Sequence, residues 1–208
     1  MALISQAIGR FGRLPALALL VLVMAACAVR EPRPEGAWLD EREAWFASHP
    51  NWEVSGRLAL SDGERGGQMA FDWRAEGEQH EVRLRTVASR HRWRLFFNER
   101  GAVLEGSDIG LLRGPDPDLL VAEAVGWPIP VSQLAYWLRG LEAPDGEQVR
   151  FADDGTMAEI VAPPWTLEYQ RYSHPSQGPL MPSRIQASSP PHQVRAVMRD
   201  WRWPDPGP

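Results

Sequence analysis

The sequence holds few side chains whose types and spacing add up to reaction chemistry. Its five histidines, His49, His80, His91, His174 and His192, are scattered singly, whereas a zinc site needs ligands at short, repeated spacings. The adjacent carboxylates Asp153 and Asp154 are half of what glycoside hydrolysis requires, but they run directly into Gly155 and read as turn residues. No Gly-x-Ser-x-Gly elbow, His-Glu-x-x-His helix or Gly-x-Gly-x-x-Gly loop occurs. All 22 basic residues are arginine, so Schiff-base chemistry and a phosphate-loop lysine have no residue to run on. The chain therefore reads as a non-enzyme that needs neither metal nor cofactor. What remains is Cys27, the one cysteine, and ten tryptophans that all follow it. The first is a single reactive thiol, the second a large stock of apolar surface.

Cys27 closes an export signal. Arg10 and Arg13 give a positive start, Leu14 to Met24 an apolar run of 11 residues, and Ala25-Ala26 the small residues before a cleavage point. That run is shorter than the roughly 20 residues that span a bilayer. Met24-Ala25-Ala26-Cys27 resembles the bacterial lipobox, with Met24 where leucine is commoner. The resemblance implies cleavage before Cys27, a diacylglyceryl thioether on its sulfur and an acyl chain on the new amino terminus. At about 0.8 kcal/mol per buried methylene, two or more chains hold a domain at a membrane where one does so marginally. Loss of residues 1–26 removes Arg10 and Arg13 and no acid, leaving 20 basic against 27 acidic residues, a formal balance of −7. That sign disfavours nucleic acid as a partner.

Behind the cysteine, residues 28–36 form a polar, proline-stiffened tether. The rest of the 208-residue chain, 44% hydrophobic and 24% charged, suits one globular domain over residues 37–203, with a loose tail at 204–208. Ala37 to Ser48 reads as a helix carrying Trp38, Leu39, Trp45 and Phe46, stopped by His49-Pro50-Asn51. From Trp52 the period changes to two: Trp52, Val54, Gly56, Leu58 and Leu60 face one way, and Glu53, Ser55 and Arg57 the other. The alternation returns in Met69, Phe71 and Trp73, in Val82 and Leu84, and in Trp93, Leu95 and Phe97, with turns at Asp62-Gly63, Glu76-Gly77 and Arg100-Gly101. After Asp145-Gly146 it resumes at Val149 and Phe151, Met157 to Ala162, Trp165 to Tyr169, Pro182 to Ala187 and Gln193 to Trp203.

Two short helices separate the halves. Asp116 caps the first, with Pro117 at its start and Gly126 at its end. The second lies within Gly-Trp-Pro-Ile-Pro-Val-Ser-Gln-Leu-Ala-Tyr-Trp-Leu-Arg-Gly-Leu, residues 126–141, with Ser132 as expected cap and Gly140 as stop. Its Leu134, Trp137, Leu138 and Leu141 recur at i, i+3, i+4 and i+7, one apolar stripe on a very short helix. The fold class expected is mainly β (α+β): a strongly curved antiparallel sheet with these helices as a lid over an apolar cavity. Trp52, Trp73, Trp93, Trp127, Trp137 and Trp165, with Leu58, Phe71, Leu84, Leu95, Leu134 and Leu138, are expected to line that cavity.

The run Gly-Trp-Pro-Ile-Pro followed by Leu-Ala-Tyr-Trp-Leu-Arg-Gly-Leu, together with Asn-Trp-Glu-Val-Ser-Gly-Arg-Leu-Ala-Leu at 51–60, resembles the signature segments of the LolB family. Its members are outer-membrane lipoproteins that receive other lipoproteins in the Lol localisation pathway. The likeness runs over nearly all of residues 37–203. It implies an unclosed β-barrel plugged by helices, acting as a monomer that accepts acylated lipoproteins from a LolA-like periplasmic carrier and places them among outer-membrane lipids. Ala28, rather than aspartate, after the cysteine implies sorting to the outer membrane. An acyl chain of about 14 buried methylenes carries roughly 11 kcal/mol, so transfer between bilayer-like cavities needs no nucleotide.

One segment departs from the family. In similar receptors the connection at 86–91 carries a large apolar residue between proline and glycine, whereas here it reads Thr-Val-Ala-Ser-Arg-His. Val87 and Ala88 are its only apolar candidates for membrane contact. Arg83, Arg85, Arg92 and Arg94, outward by alternation, with Arg90 and His91 at the tip, form a basic stripe suited to anionic headgroups. The other reading of the whole chain is a structural or assembly lipoprotein whose apolar groove binds a protein partner.

Overall fold

The structure, a computed structural model, describes residues 33, 34, 36–86, 91–126, 128–144 and 146–205. Cys27, most of the tether, Val87, Ala88, Arg90 and Trp127 lie outside the described residues. Helix α1 (Ala37–Ser48) leads into a meander of β1 (Asn51–Ser61), β2 (Gly66–Glu76), β3 (Gln79–Thr86), β4 (Arg92–Asn98), β5 (Gly101–Gly106) and β6 (Gly110–Gly114). Helices α2 (Pro117–Val125) and α3 (Val131–Trp137) follow, then a second meander of β7 (Gln148–Phe151), β8 (Met157–Ala162), β9 (Trp165–Ser173), β10 (Met181–Ser189) and β11 (His192–Arg202).

All eleven strands share one antiparallel sheet in the order β6-β5-β4-β3-β2-β1-β11-β10-β9-β8-β7. Each meander pairs only with its own neighbours in sequence, and β1 against β11 joins the two. The sheet does not close: β6 and β7 are its two ends, and α2 and α3 are carried on the connection between them.

The period-two pattern builds the inner face directly. On β2, Phe71, Trp73 and Ala75 are buried while Arg74 and Glu76 are exposed. Where the two meanders join, the phase breaks between Ser55 and Gly56 on β1, opposite an extra residue on β11. Arg199 and Asp200 are consecutively exposed there, and Trp201 turns back inward, as a bulge requires. Gly56 makes this crossing possible. A β-carbon on it would sit 2.1 Å from the Val197 carbonyl oxygen and 2.7 Å from the Phe71 ring.

Two strands were not anticipated. β5 and β6 are five to six residues long, begin and end on glycine, and carry adjacent apolar residues, Val103-Leu104 and Leu111-Leu112, that blur the alternation. Their inward residues are Ala102, Leu104 and Leu112, with Leu111 left exposed.

Helix α1 buries Trp38, Arg42 and Phe46, one residue per turn. Arg42 lies flat on the Trp38 ring, 3.3 Å from its centroid, and donates to the Leu180 carbonyl. Burial lowers the pKa of this guanidinium to about 9. An arginine at the centre of an apolar helix face has stacking and a carbonyl where an aliphatic side chain would have only contact.

Candidate functional site

Cross-strand register places the inward residues side by side. Leu58 faces Met69 and Ala196, Leu60 faces Val194, Phe71 faces Leu84, Leu84 faces Trp93, and Leu95 sits between Val82 and Leu104. These side chains make one continuous apolar wall from β11 through β5. Above it lies a cavity of about 260 Å³, roofed by Val121, Ala124 and Val125 of α2, by Ile129, and by Val131, Leu134 and Leu138 at α3. Its one charged lining residue among the described residues is Asp108, in the turn between β5 and β6.

The roof is held by its own capping groups. Asp116 accepts from the backbone N–H of Asp118 (2.8 Å) and Leu119 (3.3 Å), opening α2. Gly126, at φ 85°, closes it. Helix α3 begins one residue before the expected cap, and Ser132 is not its N-cap. Pro130 holds that position without a side chain to offer. Asp118 supplies the missing acceptor from the neighbouring helix, taking hydrogen bonds from Ser132 N (2.9 Å) and Ser132 Oγ (2.5 Å). One carboxylate thus ties the two roof helices together. At the far end Gly140, at φ 72°, donates to Trp137 O while Leu141 donates to Tyr136 O, a Schellman stop.

The expected lining set is only partly brought together. Leu58, Phe71, Trp73, Leu84, Trp93, Leu95, Leu134 and Leu138 face the cavity. Trp52, Trp137 and Trp165 are buried but do not line it. Trp137 points away from the cavity, and its indole Nε1 donates to both oxygens of Glu147 (2.9 and 3.1 Å). Tyr169 Oη, its pKa raised by complete burial, donates to the Trp137 carbonyl. Trp165 opens β9, in the other half of the sheet. The residues that sequence reasoning missed, such as Met69, Val121, Ile129 and Val194, are small or medium aliphatics. For Met69 and Val194 strand phase was the available signal; Val121 is on α2 and Ile129 in the loop after it, where no strand period applies.

Trp52 belongs instead to an aromatic cluster beside the cavity. It packs against Trp73 and Trp201 at 5.9 Å between centroids. Trp73 is shared: its ring lines the cavity, and its Nε1 donates to His80 Nδ1 at 3.2 Å. An indole only donates, so that nitrogen of His80 accepts. His80 stacks on Phe97 at 4.6 Å, and burial, with Arg139 adding repulsion, lowers its pKa to about 4. The Arg139 guanidinium lies over Phe46, Tyr136 and Trp52 and donates from Nε to Ala135 O. Burial lowers its pKa to about 10.

On the outer face the expected basic stripe is largely compensated. Arg83 and Arg94 share Glu81 at 2.7 and 2.5 Å, and Arg85 pairs with Asp72 at 3.1 Å. Burial acts to raise the Glu81 pKa, but the two arginines outweigh it and hold it low. Arg92 is exposed and makes no ion pair among the described residues. Asp154 is a turn residue, accepting from Thr156 N and Oγ1.

A sequence model of the family described as "Outer membrane lipoprotein LolB" matches residues 50–201. The outer-membrane lipoprotein LolB of Alkalilimnicola ehrlichii is 36% identical over 197 residues, covering 92% of this chain and 98% of the relative. That of Xanthomonas euvesicatoria pv. vesicatoria is 33% identical over 205 residues, covering 89% and 94%. A crystal structure of a LolA-superfamily protein from Nitrosomonas europaea shares the fold at a TM-score of 0.52 and 9% identity, over 81% of this chain and 93% of that one. The match across both meanders and the roof helices, with relatives above 30% identity along most of the chain, makes this protein a member of the LolB family of outer-membrane lipoproteins.

Proposed function

We propose that the protein is a lipid-anchored receptor facing the periplasm. It accepts lipoproteins from a LolA-like carrier by holding their acyl chains under α2 and α3, then releases them into the outer membrane. The observation that carries this reading is the cavity, whose described walls are aliphatic and aromatic and carry one charge, at Asp108. Away from that rim carboxylate, such a space has little with which to orient a polar ligand and everything needed to shelter a hydrocarbon. Its volume of about 260 Å³ lies just below that of most ligand sites, about 300–1,000 Å³ in general. Two or three chains therefore require α2 and α3 to move off the sheet.

The anchor in this reading is Cys27, acylated and at the mature terminus. The contact with bilayer lipid is the hairpin containing Val87, Ala88 and Arg90, with exposed Arg92, which has no ion pair among the described residues, at its base. A domain beginning after Cys27 is expected to copurify with acyl material or to take up one apolar fluorophore per molecule. Failure to bind either, by a folded domain, overturns the acyl-chain reading and leaves a groove for a protein partner. Mass spectrometry of the mature chain tests the anchor, and an unmodified residue 27 would exclude it.

A further inference from the structure

Nineteen of the twenty described residues lining the cavity are apolar, and the twentieth is Asp108. Its side chain is 40% exposed, so the carboxylate belongs to the rim of the cavity and keeps much of its hydration. The turn that carries it is pinned to the start of β4: Ser107 N donates to Arg92 O at 3.1 Å, and Arg92 N donates to Ser107 Oγ at 3.2 Å. His91 Nδ1 lies 3.7 Å from Asp108 Oδ2, and among the described residues no arginine forms an ion pair with this carboxylate.

Acyl chains alone cannot identify a lipoprotein. A phospholipid with the same chains gains the same hydrophobic free energy on entering the cavity, about 0.8 kcal/mol per methylene. Any discrimination must act on the head, which stays at the rim, and rejecting the wrong ligand calls for a repulsive element. The two heads differ in charge and in donors. A phospholipid presents a phosphate anion, whereas an acylated polypeptide terminus presents uncharged ester and amide groups and the N–H donors of its first residues. A carboxylate at the rim accepts from N–H groups and repels phosphate.

We propose that Asp108 makes the cavity selective for the uncharged, N–H-bearing head of an acylated polypeptide against the phosphate-bearing head of a phospholipid. This rests on the reading that the cavity holds acyl chains. It gives a receptor embedded beside a vast excess of phospholipid a means of staying open to its cargo.

The test uses the full mature protein in nanodiscs of phosphatidylcholine, with three ligands of identical brominated chains: a diacylglyceryl-cysteine lipopeptide, diacylglycerol and phosphatidylglycerol. Bromine entering the cavity quenches Trp73 and Trp93, which line it. Comparing each ligand between protein variants cancels its partition into the disc. In the unsubstituted protein phosphatidylglycerol is expected to bind about tenfold more weakly than diacylglycerol, equivalent to about 1.4 kcal/mol. Asp108→Asn, isosteric and exposed, removes that difference, and Asp108→Arg reverses it. An unchanged phosphatidylglycerol-to-diacylglycerol ratio in Asp108→Asn overturns the proposal and leaves the acyl-chain reading standing. Absence of quenching by all three ligands overturns that reading, and the proposal with it.

Discussion

The indole Nε1 of Trp38 donates to the carbonyl oxygen of Gly140 at 2.9 Å, joining residues 102 positions apart. It docks the first helix of the domain onto the exit of α3. A β-carbon on Gly140 would lie 2.9 Å from Arg42 Nε and 3.2 Å from Trp38 Cζ2, at a backbone φ of 72°. Trp38→Phe keeps the ring but leaves a buried carbonyl unpaired, and is expected to cost about 1–3 kcal/mol. Gly140→Ala keeps that carbonyl but adds left-handed strain and presses on the Trp38 ring. In urea unfolding the double variant should lose less than the sum of the singles, because both disturb one contact.

Gly56 gives a sharper expectation. With the Val197 carbonyl 2.1 Å from where its β-carbon would be, Gly56→Ala must push β11 outward at its bulge. The cost expected is about 1–3 kcal/mol or more, as for overpacking. Faster amide exchange should be confined to the β1–β11 ladder, the one seam joining the two meanders.

Trp137 and Leu138 are adjacent in sequence and do different work. Trp137→Phe leaves part of Glu147 without its donor and should lower stability while sparing uptake of an apolar fluorophore. Leu138→Ala enlarges the cavity wall and should change uptake as well as stability, with a cost of about 2–5 kcal/mol. Equal effects on uptake would show that the two faces of α3 are not separate.

These residues also show what the chain declares of itself. The strand phases, the Asp116-Pro117 entry to α2 and the Gly140 stop follow from local steric and hydrogen-bonding rules, and the structure repeats them. The stripe Leu134, Trp137, Leu138 and Leu141 is equally legible, but periodicity reports only that a face is apolar. Whether it meets a cavity or solid core depends on partners such as Glu147 and Tyr169, distant in sequence or on another element. The cap of α3 was hidden for the same reason, since its acceptor, Asp118, belongs to α2. Arg42 could have been found. It lies four residues from both Trp38 and Phe46, on the face they bury, and charge alone argued for placing it outside.

The neutral His80 predicts acid sensitivity. Its folded pKa of about 4 is below the ordinary 6.5, so between those values the unfolded chain binds the proton and the folded one does not. Stability from this site is complete above pH 6.5 and is lost as pH falls through about 4, amounting to at most roughly 3 kcal/mol. His80→Gln keeps an acceptor for Trp73 Nε1 and cannot titrate. Its midpoint of denaturation should vary less over that window than the parent's.

Asp118 couples the roof helices through Ser132. Asp118→Ala should cost about 1 kcal/mol, as for a lost cap. If the roof must part for entry, the same substitution should raise the rate of uptake in stopped-flow quenching of Trp73 and Trp93. A slower or unchanged rate would mean that α2 and α3 move as one body.

The sheet ends at β6 and β7 without joining them, and the helices that cover the cavity lie on the chain between those ends. Every hydrogen-bonded ladder therefore lies outside the covering segment. A closed barrel of the same strands would enclose one volume, and changing it would mean breaking backbone pairs. Here strength resides in the ladders, and the volume under α2 and α3 can change without breaking one of them.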